Sequence, residues 1–178
     1  GDLMPLARAH GHHRFKLKVG FDMNADIAAI HRIHAELSID ELIACDANQA
    51  WSLAQAQEFV AGIADVPLHW LEEPMPVFAD PTDWRTLSQK TSIPLAGGEN
   101  IIGETDFDEA IKARALSVIQ PDIAKWGGIT ACLAVAQNAL TNGCRYFPHF
   151  LGAGIGMAAS AELLAGVGGD GLLELDVN

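Results

Sequence analysis

Leu68-His69-Trp70-Leu71-Glu72-Glu73-Pro74 is a short apolar run that stops at two acids and a proline. A run of this length bounded by a breaker reads as a buried strand. Proline has no N–H for a ladder, so the strand ends there. The same design recurs along the chain. The other apolar runs are Phe15–Val19, Leu42–Cys45, Pro94–Ala96, Ser117–Ile119, Cys144–Phe147 and Leu172–Leu175. Between them lie segments with apolar residues three and four apart, such as Asn24–Leu37, Leu53–Ile63, Asp106–Ala113 and Thr130–Leu140. That period predicts helices. Asn24 and Thr130 are the expected N-caps, and Asn142-Gly143 the expected C-terminal stop of one helix.

Alternating strand and helix predicts a parallel sheet with right-handed crossovers. Both an open doubly wound sheet and a closed (β/α)8 barrel fit that pattern. The ionisable residues at the run ends decide between them. They are Lys18, Asp46, Glu72, Glu99, Asp122, His149 and Glu174, spaced 28, 26, 27, 23, 27 and 25 residues apart. Each unit delivers one such group at the carboxyl end of its strand. In a barrel those ends converge on the mouth that carries the active site. In an open sheet, strands far from the switch point have no such reason. The expected fold is therefore α/β, a TIM-type barrel. Seven runs are present in the 178 residues, whereas the closed barrel has eight strands and about 250 residues. The expectation is an incomplete barrel domain over residues 1–178 with its first strand missing before Gly1.

Composition bounds the function. The chain is 49% hydrophobic and 19% charged, enough for a sizeable core. Its formal charge of −12 argues against nucleic-acid and anionic-membrane partners. No run of apolar residues reaches transmembrane length. Gly1-Asp2-Leu3 does not start a basic-then-apolar signal peptide. Cys45, Cys132 and Cys144 have no CxxC spacing and read as reduced thiols. A cytoplasmic enzyme, assembled as a homo-oligomer, is expected.

Three consecutive units end in acids: Asp46, Glu72 and Glu99. One such acid is readily an N-cap or a solvated loop residue. Three brought together repel one another unless a cation compensates them. Oxygen-only donors without His or Cys favour Mg²⁺ or Mn²⁺ over Zn²⁺. Glu72 and Glu73 are neighbours on a strand, so only one of them faces such a site, and parity alone does not choose. Lys16 and Lys18 share one strand face. Two inward lysines are costly without a use, and their repulsion makes a neutral amine available as a base. Asp122 and His149 end adjacent units. An Asp accepting from one imidazole nitrogen fixes the tautomer and leaves the other nitrogen to move a proton. Lys125, leading into Trp126-Gly127-Gly128, is placed to neutralise local carboxylates or substrate, and Glu174, if protonated, to donate to a substrate oxygen. His10, His12 and His13 read as a solvated helix end. Trp51, Trp70, Trp84 and Trp126 read as core or mouth packing. Gly152, Gly154 and Gly156 read as a tight turn beside His149.

Taken together, the motifs resemble those of the enolase superfamily, in its mandelate racemase-like branch. The matching elements are Lys16-Leu17-Lys18, Asp46-Ala47-Asn48-Gln49, Leu71-Glu72-Glu73-Pro74, Gly98-Glu99-Asn100, Gln120-Pro121-Asp122 with Lys125-Trp126-Gly127-Gly128, Pro148-His149-Phe150 and Leu173-Glu174. The resemblance implies that Asp46, Glu72 and Glu99 bind Mg²⁺, and it chooses Glu72 over Glu73. It implies Lys18 as one acid/base and the His149–Asp122 dyad as the other, on opposite faces of the substrate, with Lys16 in the same machinery. It implies Glu174 as a donor to the substrate carboxylate, and Asn48 and Lys125 as substrate contacts. It also implies an N-terminal capping domain outside this sequence. The implied chemistry is removal of the proton alpha to a carboxylate through an enediolate. Dehydration of a sugar acid to a 2-keto-3-deoxy acid is the expected outcome. Racemisation or epimerisation of a 2-hydroxy acid is the runner-up, and a non-catalytic barrel comes last.

Overall fold

The structure, a computed structural model, describes residues 3–152 and 154–175. Every paired strand is parallel, and strands alternate with helices along the chain. The chain divides into two compact units, one ending at Leu95 and the other beginning at Ala96.

The first unit runs α1 (Met4–Ala9), β1 (Arg14–Lys18), α2 (Met23–Ala35), β2 (Leu42–Asp46), α3 (Leu53–Gly62), β3 (Leu71–Glu72) and α4 (Pro81–Ser88). Strand β1 pairs with β2 and β2 with β3. The register sets Lys18 beside Asp46 and Asp46 beside Glu72, so one row at the carboxyl ends carries a lysine and two acids. The ladder continues past the strand ends, with Val19 N–H on Asp46 O at 2.9 Å and Ala47 N–H on Glu72 O at 3.0 Å. Ile30, Ile43, Phe59, Ile63, Leu71 and Leu87 are fully buried and form the apolar interior. Helix α3 opens on a reciprocal cap between Ser52 and Gln55. Helix α4 opens on Asp80, with Pro81 in its first turn.

Helix α2 is capped by Asp22, not Asn24. The Asp22 carboxylate accepts from Ala25 N–H at 2.9 Å, and Asp26 gathers the Gly20 and Phe21 N–H groups. These two acids close the β1–α2 turn early, so Asn24 already lies inside the helix.

The second unit runs β4 (Leu95–Gly97, its last two residues), α5 (Glu104–Ala113), β5 (Val118–Ile119), α6 (Gly128–Thr141), β6 (Arg145–Tyr146) and α7 (Ile155–Val167). Strand β5 pairs with β4 on one side and β6 on the other, and a further parallel bridge joins Asp122 to His149. Cys132, Ala136, Tyr146 and Leu163 form a core cluster. Gly98 has φ +146°, and a Cβ there would stand 2.7 Å from the Gln120 backbone, so only glycine permits this approach.

Two expectations fail in this unit. Helix α6 starts at Gly128 rather than at Thr130, and Thr130 caps nothing. Gly127 and Gly128, at φ +68° and +61°, complete the chain reversal before Thr130 is reached. The run Leu172–Leu175 lies outside any strand or helix. Just before it, the chain passes so close to β6 that a Cβ on Gly171 would meet Tyr146 O at 2.2 Å. The Asn142-Gly143 stop forms as expected, with Asn142 as the C-cap of α6 and Gly143 at φ +80°.

All three cysteines are buried free thiols. Burial pushes the Cys45 thiol up to about 12, which leaves it chemically quiet. Among the described residues no helix is long and apolar enough to cross a membrane.

Before β2, Glu41 accepts Arg8 Nε at 2.7 Å, Arg8 Nη2 at 2.8 Å and Ser38 N–H at 2.8 Å. The Arg8 guanidinium, then the Ser38 N–H, hold the Glu41 carboxyl at about 2 against an ordinary 4.5. A depressed folded-state pKa stabilises above the unfolded value, and that gain is lost as the pH falls. Glu41→Gln should therefore lower Tm fully above about pH 4.5, with the gap closing as the pH falls to about 2, read by thermal unfolding across that range. Gly98→Ala should cost about 1–3 kcal/mol in urea unfolding, because the backbone must shift to admit the methyl group.

Candidate active site

In the first unit, chain direction and register bring four polar side chains together. Lys16 and Lys18 leave β1 on one face. Lys16 Nζ donates to both Glu72 oxygens at 3.0 Å and lies 3.6 Å from Asp46 Oδ2. One ammonium thus stands between two carboxylates whose side chains are 1% exposed. Lys18 Nζ donates to Asp46 Oδ2 and, at 3.0 Å, to Asn48 Oδ1. Asp46 Oδ1 accepts Asn48 N–H at 2.8 Å. Lys16 is 11% exposed and Lys18 44%.

The loops that follow β2 and β3 are strained where they meet. Asn48, Gln49 and Glu73 have φ of +43°, +65° and +37°. Such left-handed residues persist only where surrounding bonds determine them. Here Gln49 N–H donates to Glu73 O at 2.7 Å, and Gln49 Oε1 accepts Val77 N–H at 2.8 Å. Glu72 is the acid that meets Lys16, while Glu73 is also buried and begins the turn.

In the second unit, His149 Nδ1 lies 2.8 Å from Asp122 Oδ2, both side chains being 5% exposed. Asp122 Oδ1 also accepts Ala124 N–H at 2.7 Å and Lys125 N–H at 3.1 Å, so the acid is fixed from two directions. An ionised carboxylate only accepts, so Nδ1 donates to Asp122. The other ring nitrogen, Nε2, lies against Glu99 Oε2 and by the same argument donates to it. Glu99 Oε1 accepts Asn100 Nδ2 at 3.0 Å and lies 3.6 Å from Lys125 Nζ. Burial raises the Glu99 carboxyl, but the His149 bond and charge, with Lys125 and Asn100, outweigh it and hold the group at about 2. Gly152 and Gly154 lie at positive φ, and a Cβ on Gly156 would stand 2.3 Å from Phe150, so the turn after His149 is built on glycine. Glu174 is half-buried in the segment after α7.

Among the described residues no three or more His, Cys, Asp or Glu side chains are grouped as a metal cage. Asp46, Glu72 and Glu99 each face a cationic side chain of the chain itself. The donor chemistry nevertheless suits a hard cation. Asp46 and Glu72 are register neighbours, buried, oxygen-only, and already gathered around one positive charge. His13 pairs with Asp40 at 3.3 Å, with both side chains exposed.

The sequence reading passes over two residues here. Trp70, read as packing, donates its indole N–H to Glu72 Oε2 at 3.0 Å. Its position two residues before Glu72, the spacing that shares a side of an extended backbone, is the signal that could have found it. Asn100 donates to Glu99, and its adjacency in Gly98-Glu99-Asn100 was the only hint.

Residues 3–177 match the enolase C-terminal domain-like family. D-galactarolactone cycloisomerase of Agrobacterium fabrum is 30% identical over 163 residues, covering 91% of this chain and 43% of that protein. A mandelate racemase/muconate lactonizing enzyme structure from Bordetella bronchiseptica superposes with TM-score 0.96 at 44% identity, over 99% of this chain and 50% of that one. L-talarate dehydratase from Polaromonas, solved with Mg and L-glucarate, gives TM-score 0.85 at 26% identity, over 97% of this chain and 47% of that one. The chain spans half or less of the length of these proteins. The α/β repeat, with its ionisable strand ends, is thus part of a TIM-type barrel, and the chain belongs to the enolase superfamily through its C-terminal domain.

Proposed function

We propose that the protein removes the proton alpha to the carboxylate of a sugar acid and expels the beta-hydroxyl, giving a 2-keto-3-deoxy acid. The observation that carries this reading is the His149–Asp122 dyad. Its Nδ1 is fixed on Asp122 at 2.8 Å, and its Nε2, which lies against Glu99 Oε2, is the proton-moving atom. Lys18 Nζ, in its neutral amine form, takes the alpha proton and becomes the ammonium. The electron pair left on the alpha carbon forms the enediolate. His149 Nε2 delivers a proton to the departing beta-oxygen as the C–O bond breaks, and the resulting enol becomes the 2-keto acid. Asp122 holds the imidazole in its tautomer throughout. Asn48 and Lys125 orient the substrate by hydrogen bond and charge. Glu174 donates to its carboxylate.

Asp46, Glu72 and Glu99 would hold Mg²⁺. Bound there, the ion supplies positive charge where negative charge develops on the substrate carboxylate. The talarate dehydratase solved with Mg and L-glucarate supports both the metal and the substrate class.

A second reading is favoured by the galactarolactone cycloisomerase likeness and by the paired bases. In it the same proton removal ends in ring opening, or in racemisation when the proton returns on the other side. Proton NMR in D₂O against acid sugars and their lactones separates these outcomes. Loss of water with a new methylene signal supports dehydration. Alpha-proton exchange without water loss points to racemisation, and a lactone consumed without water loss points to cycloisomerisation. Lys18→Ala should abolish exchange at one alpha configuration and leave Mg²⁺ affinity nearly intact. His149→Asn should eliminate turnover, and dehydration retained in full would overturn its assignment.

A further inference from the structure

We propose that Trp70 is a positioning residue for Glu72: its indole N–H pins Oε2 of the carboxylate and aims Oε1 at the cation. The inference rests on the reading of Asp46 and Glu72 as cation ligands.

Trp70 immediately precedes β3, two residues before Glu72, a spacing that puts both side chains on one side of an extended backbone. The indole Nε1 lies 3.0 Å from Glu72 Oε2. The Trp70 carbonyl accepts Cys45 N–H at 3.1 Å, so the residue is tied into the β2 ladder. Its ring packs against His69 with centroids 5.0 Å apart, and the residue is 8% exposed. An indole N–H is a donor only, on a rigid two-ring plate. Here that donor is directed at the carboxylate.

The two described donors to Glu72 differ in kind. Lys16 is an ammonium on a flexible four-carbon stem, and it carries the same sign of charge as an arriving dication. The indole is uncharged and wedged by its packing. It therefore keeps hold of Oε2 when the charge around the acid changes. Partners of this type orient metal ligands, and their loss costs about 10–100-fold in metal affinity. Trp84 gives the contrast, because its indole N–H donates to the Pro76 carbonyl at 3.3 Å.

The test is Mg²⁺ binding by calorimetry, with Mg²⁺ as the only added ligand. The proteins compared are wild type, Trp70→Phe, Trp84→Phe, and a variant carrying 3-benzothienylalanine at position 70. The last keeps the ring shape and loses only the N–H, so it decides the matter if Trp70→Phe fails to fold. The Trp70 indole ¹⁵N–¹H resonance should move over the same Mg²⁺ range that calorimetry reports. Weakening of about 10–100-fold in both position-70 variants, with wild-type affinity in Trp84→Phe, supports the proposal. Unchanged affinity at position 70, or an equal loss in Trp84→Phe, overturns it alone. A wild-type protein that takes up no Mg²⁺ overturns the metal reading and this inference together.

Discussion

A carboxylate taken out of water at the end of a buried strand needs positive charge or hydrogen-bond donors around it, and this requirement organises the polar groups of both units. In the first unit, parallel register sets Asp46 beside Glu72, and Lys16 stands between them. In the second, Glu99 is met by His149, Lys125 and Asn100. Removing one partner of a buried pair typically costs about 3–5 kcal/mol. Total stability is about 5–15 kcal/mol. The cations are therefore part of what keeps the strand ends folded.

The backbone bears part of the cost. Asn48, Gln49 and Glu73 all adopt positive φ directly after Asp46 and Glu72. Each such residue costs about 1–3 kcal/mol and persists only where neighbours leave no alternative. The Gln49–Glu73 and Val77–Gln49 bonds do that here, clamping the loop after β2 to the loop after β3. The consequence is positional. Asn48 turns back so that its N–H caps Asp46 Oδ1 while its own Oδ1 accepts Lys18.

What the sequence made legible follows from periodicity. Strands of period two, spaced by helices, put Lys18, Asp46 and Glu72 at equivalent strand ends, and the observed register sets them in one row. The Asp122–His149 contact is legible for the same reason, since each ends an adjacent strand unit. Helix starts are less legible, because they depend on where a turn finishes. Asp22 and the Gly127-Gly128 pair finish theirs before Asn24 and Thr130 can act. The run Leu172–Leu175 has the composition of a strand, but composition does not supply a partner at the right register. Trp70 stayed hidden because an indole is apolar by composition and a donor by one atom. Only its distance to Glu72 distinguishes the two roles.

The proposed mechanism gives the two lysines of one strand face different roles. Both stand at equivalent pleat positions, so periodicity cannot separate them. Burial does. Lys16 is 11% exposed and shared between two acids, so losing its proton would leave both short of compensation. Lys18 is 44% exposed, pairs with Asp46 alone among the acids, and has Asn48 as its neutral partner. A side chain that exchanges a proton every turnover must change charge without unsettling a buried pair. Solvent access and a neutral hydrogen-bond partner make that change cheaper at Lys18. The same reasoning makes Lys16 the fixed counter-charge, because its ammonium is the one that two buried carboxylates cannot spare.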